Sequence, residues 1–205
     1  MPPIPLFLAI AFLLFTHVAA QSTAPLQHGG KTYKTIKIGT QTWMAENMNY
    51  EAEGSKCYKN SPDNCAKHGR LYNWQTAMKV CPKGWHLPNN AEWDKLFRFV
   101  DGDTSKGERR DYYSDTAGKY LKATSGWNDD GNGTNVHGFS ALPGGSGNPG
   151  SSFGFIGSVG YWWSATECNY DSNYAYYRFM YYGSDYGLHG LLGKSILRSV
   201  RCVQD

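Results

Sequence analysis

The spacing of apolar side chains predicts two main helices in the first half of the chain. Over residues 70–80, apolar positions recur at helical spacing until Cys-Pro-Lys-Gly at 81–84 ends the pattern. The second helix is better defined, because Asn89 and Glu92 have the spacing of a capping box and apolar residues follow at intervals of three and four. A shorter helix is predicted over residues 117–122.

Alternating apolar and polar residues predict strands on both sides of these helices. Residues 33–38 and 41–44 alternate on either side of Gly39-Thr40, which is typical of a β-hairpin with a two-residue turn. Further alternating runs predict strands at 161–166, 174–182 and 196–203. An order of hairpin, helices and then strands predicts an α+β fold with a small, mostly antiparallel sheet, not a βαβ arrangement.

Two segments lack this periodicity. Residues 21–30 are polar and interrupted by Pro and Gly, so we interpret them as a flexible leader before a single domain over 31–205. Between residues 124 and 160, Gly, Ser and Asn dominate. A Gly-rich loop of this length inside a compact domain is expected to be well packed or functional.

Residues 1–20 are interpreted as a signal peptide. The apolar run over residues 4–15 ends in the small residues Val18, Ala19 and Ala20. This run is too short to span a hydrocarbon core of about 30 Å, and the sequence has no second run of the kind, so no transmembrane segment is expected. The mature protein is therefore expected to be exported, either secreted or held at the cell surface.

Composition favours binding through aromatic side chains and argues against nucleic acid. The formal net charge is only +3, with basic and acidic residues interspersed, so no nucleic-acid partner is expected. Aromatic residues make up 15% of the chain beside 24 Gly, and Tyr and Trp supply large contact areas at low entropy cost. All five cysteines follow the predicted signal peptide, which favours disulfides with one cysteine left over.

Seven short motifs resemble the Fibrobacter succinogenes major paralogous domain family, known as FISUMP. They occur in the family's order and cover nearly all of the chain from Lys31 to Asp205. The resemblance implies an exported or surface protein without an established enzymatic activity. The motifs begin at Thr32 (TYKTIKIG), Gln41 (QTWMAENMNY), Gly69 (GRLYNW), Cys81 (CPKGWHLP), Gly138 (GFSALPGG), Trp162 (WWSATE) and Ser199 (SVRC).

The layout of residues 74–96, with a cysteine three residues from the end, also resembles C-type-lectin-like folds. In those folds a cysteine carried by a helix is bridged to a cysteine on the last strand. The remaining pair would then be local, across a turn that Pro62 and Asn64 favour. The implied disulfides are therefore Cys81–Cys202 and Cys57–Cys65, with Cys168 unpaired.

No metal, cofactor or catalytic group is expected. Trp127-Asn128-Asp129 matches a lectin motif, but the accompanying Glu-Pro-Asn or Gln-Pro-Asp tripeptide is missing. The polar run over 128–133 resembles the start of an EF-hand loop, yet Phe139 occupies the position of the bidentate Glu, so an ordinary turn is favoured over calcium. The sequence has no Gly-x-Ser-x-Gly, and the related formylglycine-generating enzymes need a reactive thiol pair where this chain has one spare cysteine.

The Tyr-rich segment 168–189 is the candidate binding site. In a strand over 173–182, the even-numbered residues from Tyr174 to Tyr182 share one face, and we expect this face, which carries Arg178, to be exposed. The alternative is that half of these tyrosines pack against the Gly-rich loop. The predicted ligand-binding residues are Trp127, Tyr170, Asp171, Asn173, Tyr174, Tyr176, Arg178, Met180, Tyr182, Asp185 and Tyr186.

Two classes of function follow from these patterns. The first is a ligand-binding or adhesion module that recognises an extracellular glycan or a surface protein through the Tyr-rich face. The second is a structural component of the cell envelope or a surface layer, which has no soluble ligand and self-associates through its aromatic face.

Overall fold

The structure is a computed structural model that describes residues 21–103 and 113–205. The predicted signal peptide at 1–20 lies outside the described residues. The helices are α1 (Pro62–His68), α2 (Trp74–Ala77), α3 (Asn90–Asp101) and α4 (Ala117–Leu121), with a 3-10 turn at Tyr58–Asn60. In the described part of the chain, no helix is long and apolar enough to cross a membrane.

Helix α3 confirms the second predicted helix and the capping box at its start. The Asn89 side chain accepts a hydrogen bond from the Glu92 backbone N–H at 3.0 Å, and the Glu92 carboxylate accepts from the Asn89 N–H at 2.9 Å. This capping box satisfies amide groups that the first turn leaves free. Gly102 then ends the helix in the left-handed region, with φ +67°.

The first predicted helix is much shorter than the periodicity indicated. Leu71–Tyr72 form a strand, and only Trp74–Ala77 are helical, after Asn73 caps the Thr76 N–H. Leu71, Trp74 and Ala77 are all buried. Their spacing therefore fits a buried strand followed by one helical turn as well as it fits a longer helix. Helix α1 was not predicted, because its sequence has no apolar stripe.

The structure has fourteen short strands within its described residues. They are β1 (Gln21–Ser22), β2 (Leu26–His28), β3 (Lys31–Tyr33), β4 (Thr35–Ile38), β5 (Gln41–Met44), β6 (Ser55–Lys56), β7 (Leu71–Tyr72), β8 (Trp85–His86), β9 (Ser146–Gly147), β10 (Phe153–Gly154), β11 (Val159–Glu167), β12 (Tyr174–Tyr181), β13 (Leu188–Gly193) and β14 (Val203–Gln204). They form a five-stranded sheet in the order β1-β4-β5-β14-β8, a three-stranded sheet β11-β12-β13 and three two-stranded pairs. Every strand pair is antiparallel, so the α+β class with small antiparallel sheets is confirmed.

The N-terminal hairpin is confirmed, whereas the flexible leader over 21–30 is a correction. In the hairpin, Ile38 pairs with Gln41 across Gly39-Thr40. Within the leader, β1 pairs with β4 and β2 pairs with β3, and the β2–β3 turn uses Gly29 and Gly30 at positive φ. The Gly-Gly sequence therefore forms a tight turn between two strands and does not mark a flexible segment.

The three-stranded sheet lies between two buried clusters. One cluster joins α3 and α4 to the β11–β12 face that carries Trp162 and Met180. The other packs β5, β7 and α2 against the face that carries Trp163 and Ala175. Strand β13 was not predicted, and the strand expected over 196–203 is reduced to β14 and isolated bridges.

Both implied disulfides are present in the structure. Cys57 is bonded to Cys65, and Cys81 is bonded to Cys202 across 121 residues of sequence. Cys168 is a free, buried cysteine. The long bridge ties the segment after α2 to the end of the chain beside β14.

Candidate functional site

The Arg178 side of β12 is buried, which corrects the predicted exposed face. Arg178 is only 2% exposed. Its Nη2 lies 2.7 Å from a carboxylate oxygen of Asp94, and its Nη1 donates to Asn90 at 3.1 Å. Both partners lie on α3, so the guanidinium joins the sheet to that helix. Burial raises the pKa of the Asp94 carboxyl, and the charge of Arg178 opposes this rise.

Met180 and Trp127 are also core residues and not surface residues. Both belong to the cluster around α3. The Trp127 indole donates to the Ala141 carbonyl at 3.0 Å, and the Lys122 ammonium lies 5.3 Å from its ring. The Gly-rich loop that carries Trp127 is therefore well packed, one of the two outcomes expected for it.

The remaining predicted residues divide between the two ends of β12, so they do not form one site. Tyr170, Asp171, Asn173 and Tyr174 lie in the turn before the strand or at its first residue, followed by the half-buried Tyr176. Tyr182, Asp185 and Tyr186 lie in the turn after the strand. The strand has eight residues, and at about 3.3 Å per residue its first and last residues are roughly 23 Å apart.

The two ends also differ in their electrostatic surroundings. At the first end, a hydrogen bond with the Cys168 thiol raises the pKa of Tyr170, which is 78% exposed. At the other end, hydrogen bonding and charge interaction with Tyr181 raise the pKa of Tyr182 to about 12, and Asp129 adds to the effect. Both phenols are therefore neutral at physiological pH and can donate or accept hydrogen bonds.

The opposite face of the sheet carries a cluster of aromatic rings that reaches the surface. We call it the aromatic platform and define it as Phe155, Tyr161, Tyr177 and Phe179. Tyr161 on β11 lies opposite Phe179 on β12, with ring centroids 5.9 Å apart, and Tyr177 lies 5.8 Å from Tyr161. Phe155 packs edge-on to Tyr161 at 6.2 Å. Tilted and edge-on rings at these distances attract one another and form a rigid patch.

Arg198 supports the platform from the C-terminal segment. Its guanidinium carbon lies 3.7 Å from the Tyr161 ring centroid and 4.8 Å from that of Tyr177. The residue is 6% exposed, and burial lowers the pKa of its guanidinium. Nε and Nη1 have no hydrogen-bond partner among the described residues, so cation–π attraction is the main stabilising contact for these groups.

Gly190 on β13 makes room for the Tyr177 ring. The two residues are paired across the sheet. A side-chain carbon added to Gly190 would lie 2.5 Å from the Tyr177 Cζ, far inside van der Waals contact. The tyrosine ring therefore lies across the glycine, which holds it against the sheet.

Phe155 is the most exposed member of the platform and has an unusual backbone. The residue is 60% exposed, so its side chain is accessible to solvent. Its φ is +69°, in the left-handed region that bulky residues rarely occupy. Phe155 was not among the predicted site residues, since it lies in the Gly-rich loop outside any periodic run. Tyr177 and Phe179 lie on the face of β12 opposite the one that the sequence predicted to be exposed.

The described residues contain no cluster of side chains suited to a metal ion. No group of three or more His, Cys, Asp and Glu side chains in this part of the chain could hold a metal ion. His86 lies between Asp205 and Glu92, with nitrogen-to-oxygen distances of 2.6 and 2.7 Å. Because both ring nitrogens are engaged with carboxylates, this histidine is not free to act as a base.

These features define a disulfide-bonded α+β domain with an aromatic patch on its three-stranded sheet. The chain belongs to the Fibrobacter succinogenes major domain family, whose profile matches residues 36–204. No curated protein and no solved structure matches the chain.

Proposed function

We propose that this protein is an exported binding or adhesion module whose aromatic platform recognises a glycan at the cell exterior. We further propose that its fold is C-type-lectin-like, which the long disulfide between the segment after α2 and the end of the chain supports. The two disulfides fit an oxidising, extracytoplasmic compartment. The role is one of binding, not catalysis.

Phe155 is the observation that carries this proposal. A bulky residue in the left-handed region costs of order 1–3 kcal/mol, and such strain concentrates at functional sites. Here the strained residue is 60% exposed, so the strain cannot be offset by burial of its ring in the core. The strained backbone presents an apolar ring to the solvent, which is useful if a partner covers it.

A glycan suits the chemistry of the platform. The faces of a pyranose ring present C–H groups that pack against flat aromatic rings, whereas its hydroxyl groups need hydrogen-bond partners. The Tyr161 and Tyr177 phenols can provide such partners at the edge of the rings. Rigid tyrosines lose little entropy on binding, and Arg198 and Gly190 already hold these two in place.

A glycan and cell-wall array tests this proposal. Wild-type protein should bind a defined set of glycans, and Phe155→Ala should weaken that binding at least about tenfold, or 1.4 kcal/mol. Tyr170→Ala is the matched control, because it removes a more exposed aromatic ring at the far end of β12. Equal loss in both variants, or loss only in Tyr170→Ala, would contradict the platform.

The structural-component alternative makes a different prediction in the same experiment. In that case the array shows no ligand, and the wild-type protein self-associates in solution. Phe155→Ala would then shift the protein to monomer in sedimentation or light scattering, since the platform would be the contact between copies.

A further inference from the structure

A polar cavity lies beside the last turn of α1 and shares no lining residue with the aromatic platform. Its volume is about 320 Å³, within the range of small-molecule sites, and its walls include Tyr33, Asn47, His68 and Leu142. The walls are fastened together: the Asn47 amide donates to the His68 carbonyl at 2.8 Å, and the Arg70 N–H donates to the Met48 carbonyl at 2.9 Å. The cavity is therefore built from rigid segments.

His68 lines this cavity and carries an unsatisfied polar group. The residue is 5% exposed, and its Nδ1 has no hydrogen-bond partner within the described part of the chain. Burial lowers the pKa of His68 to about 4, with a further lowering by the charge of Lys67. The imidazole is therefore neutral at physiological pH, and Nδ1 can pair with a hydroxyl group as donor or acceptor, depending on its tautomer.

Two asparagines line the cavity, and their side-chain oxygens differ in hydrogen bonding. The Asn47 Oδ1 accepts from the Trp162 indole at 2.9 Å and from Arg201 Nε at 2.8 Å, so this side chain is engaged in the core. The Asn49 Oδ1 is buried and has no partner among the residues described. It is an available acceptor for a second hydroxyl group.

The charges around the cavity favour a single negative group on the ligand. Lys31 and Lys67 line it, against one carboxylate, Glu46. The Lys31 ammonium is held in place by the Asn49 carbonyl at 2.8 Å and keeps two further N–H groups. An adjoining cavity of about 510 Å³ shares the Lys31 and Asn49 walls and leaves room for a continuing chain.

We propose that this cavity binds a hexuronic acid unit, with its carboxylate at Lys31 and its hydroxyl groups at His68 and Asn49. One pyranose ring fits the volume, and the continuing chain of an acidic polysaccharide would occupy the adjoining cavity. The Glu46 carboxylate disfavours a doubly charged phosphate group in the same space. This site is independent of the aromatic platform, so its test does not depend on the platform proposal.

Titration of the full exported chain with sodium glucuronate, followed by NMR, tests this site. The expected result is saturable shifts of the His68 ring and Asn49 amide resonances, with glucose and glucose 6-phosphate at least tenfold weaker. Lys31→Met should weaken glucuronate binding at least tenfold. Lys37→Met is the matched control, because it removes an equal charge from an exposed position on β4 outside the cavity.

Three outcomes would overturn the proposal. Glucuronate could leave the His68 and Asn49 resonances unchanged, or glucose or glucose 6-phosphate could bind as tightly as glucuronate. Lys31→Met could also bind like Lys37→Met. Phe155→Ala separates the two proposed sites: unchanged glucuronate affinity supports a separate cavity site, and loss of affinity places glucuronate on the platform and contradicts this inference.

Discussion

The Arg178 guanidinium joins β12 to α3 through Asp94 and Asn90. Its removal would leave a mostly buried carboxylate without its cation, which in comparable pairs costs about 3–5 kcal/mol. We therefore expect Arg178→Ala to lower the free energy of unfolding by that amount in urea denaturation. Tyr176→Ala, two residues earlier, removes a half-buried ring and should cost less than half as much. Comparable costs for the two variants would show that the ion pair adds no stability.

His86 links the C-terminal Asp205 to the capping residue Glu92. Burial lowers its pKa, but the hydrogen bonds and charges of both carboxylates raise it more, so the net pKa is above the ordinary value. The protonated histidine therefore stabilises the fold fully below pH 6.5, and this stabilisation is lost as pH rises through the folded-state pKa. Because the side chain is 40% exposed, the effect is at most about 1 kcal/mol.

Denaturation of wild type and His86→Gln between pH 5 and pH 9 checks this sign. The stability difference between the two proteins should be largest at the acidic end and shrink toward the alkaline end. His68, whose pKa is lowered, contributes equally to both proteins and cancels in the difference. A difference that grows with pH would contradict the assignment.

At the residue scale, the sequence could show that β12 has two faces but not which one is exposed. The charge of Arg178 suggested that its face of β12 is exposed to solvent. Asp94 and Asn90, which offset the cost of burying this charge, are distant from it in sequence. The position of Phe155 depends on a left-handed backbone within a Gly-rich loop, which no periodic pattern reports. Charge and periodicity predict helices and strands, whereas the residues that pair with a buried charge are set by the tertiary fold.

Strand β13 positions the Tyr177 ring of the platform through Gly190. Gly190→Ala would place a carbon 2.5 Å from the Tyr177 Cζ, so the ring must move and overpacking should cost about 1–3 kcal/mol. Gly193→Ala is the control in the same strand, since an added carbon there meets no heavy atom within 4 Å. Thermal unfolding and the Tyr177 ring resonances should change only in Gly190→Ala. Similar effects of both substitutions would mean that Tyr177 does not rest on Gly190.

At the element scale, local signals were reliable where they specified the start of a helix or the turn of a hairpin. The Asn89–Glu92 capping box fixes the start of α3, and Gly39-Thr40 fixes the hairpin. Over residues 70–80, the apolar spacing identified the buried Leu71, Trp74 and Ala77, whereas Met78 in the same pattern is exposed. The spacing could not distinguish a strand followed by one helical turn from a longer helix. Strand β14 is shorter than predicted and lies between β5 and β8, a position that local sequence signals do not report.

For the whole molecule, the two disulfides should differ in their contributions to stability. Cys81 and Cys202 are 121 residues apart, whereas Cys57 and Cys65 are 8 apart. The chain-entropy model assigns about 5 kcal/mol to the long bridge and about 2.5 kcal/mol to the short one. Paired Cys→Ala variants should therefore lower the melting temperature more for the long bridge. A larger loss from the short bridge would contradict this order.

The family and the disulfide pairing came from motifs spread over the whole chain, and the profile match and both bonds confirm them. The proposed binding surface did not follow from these motifs, because it is assembled from a loop, two strands and the C-terminal segment. The proposed glycan-binding role rests on this assembled surface.

Phe155→Gly gives the most direct test of the aromatic platform, since it removes the ring and relieves the positive φ together. The melting temperature should be equal to or above that of wild type, while affinity for the array-selected glycan falls at least about tenfold. Phe155→Tyr keeps the ring and should keep the affinity. If Phe155→Gly binds that glycan as tightly as wild type, the platform is not the binding surface.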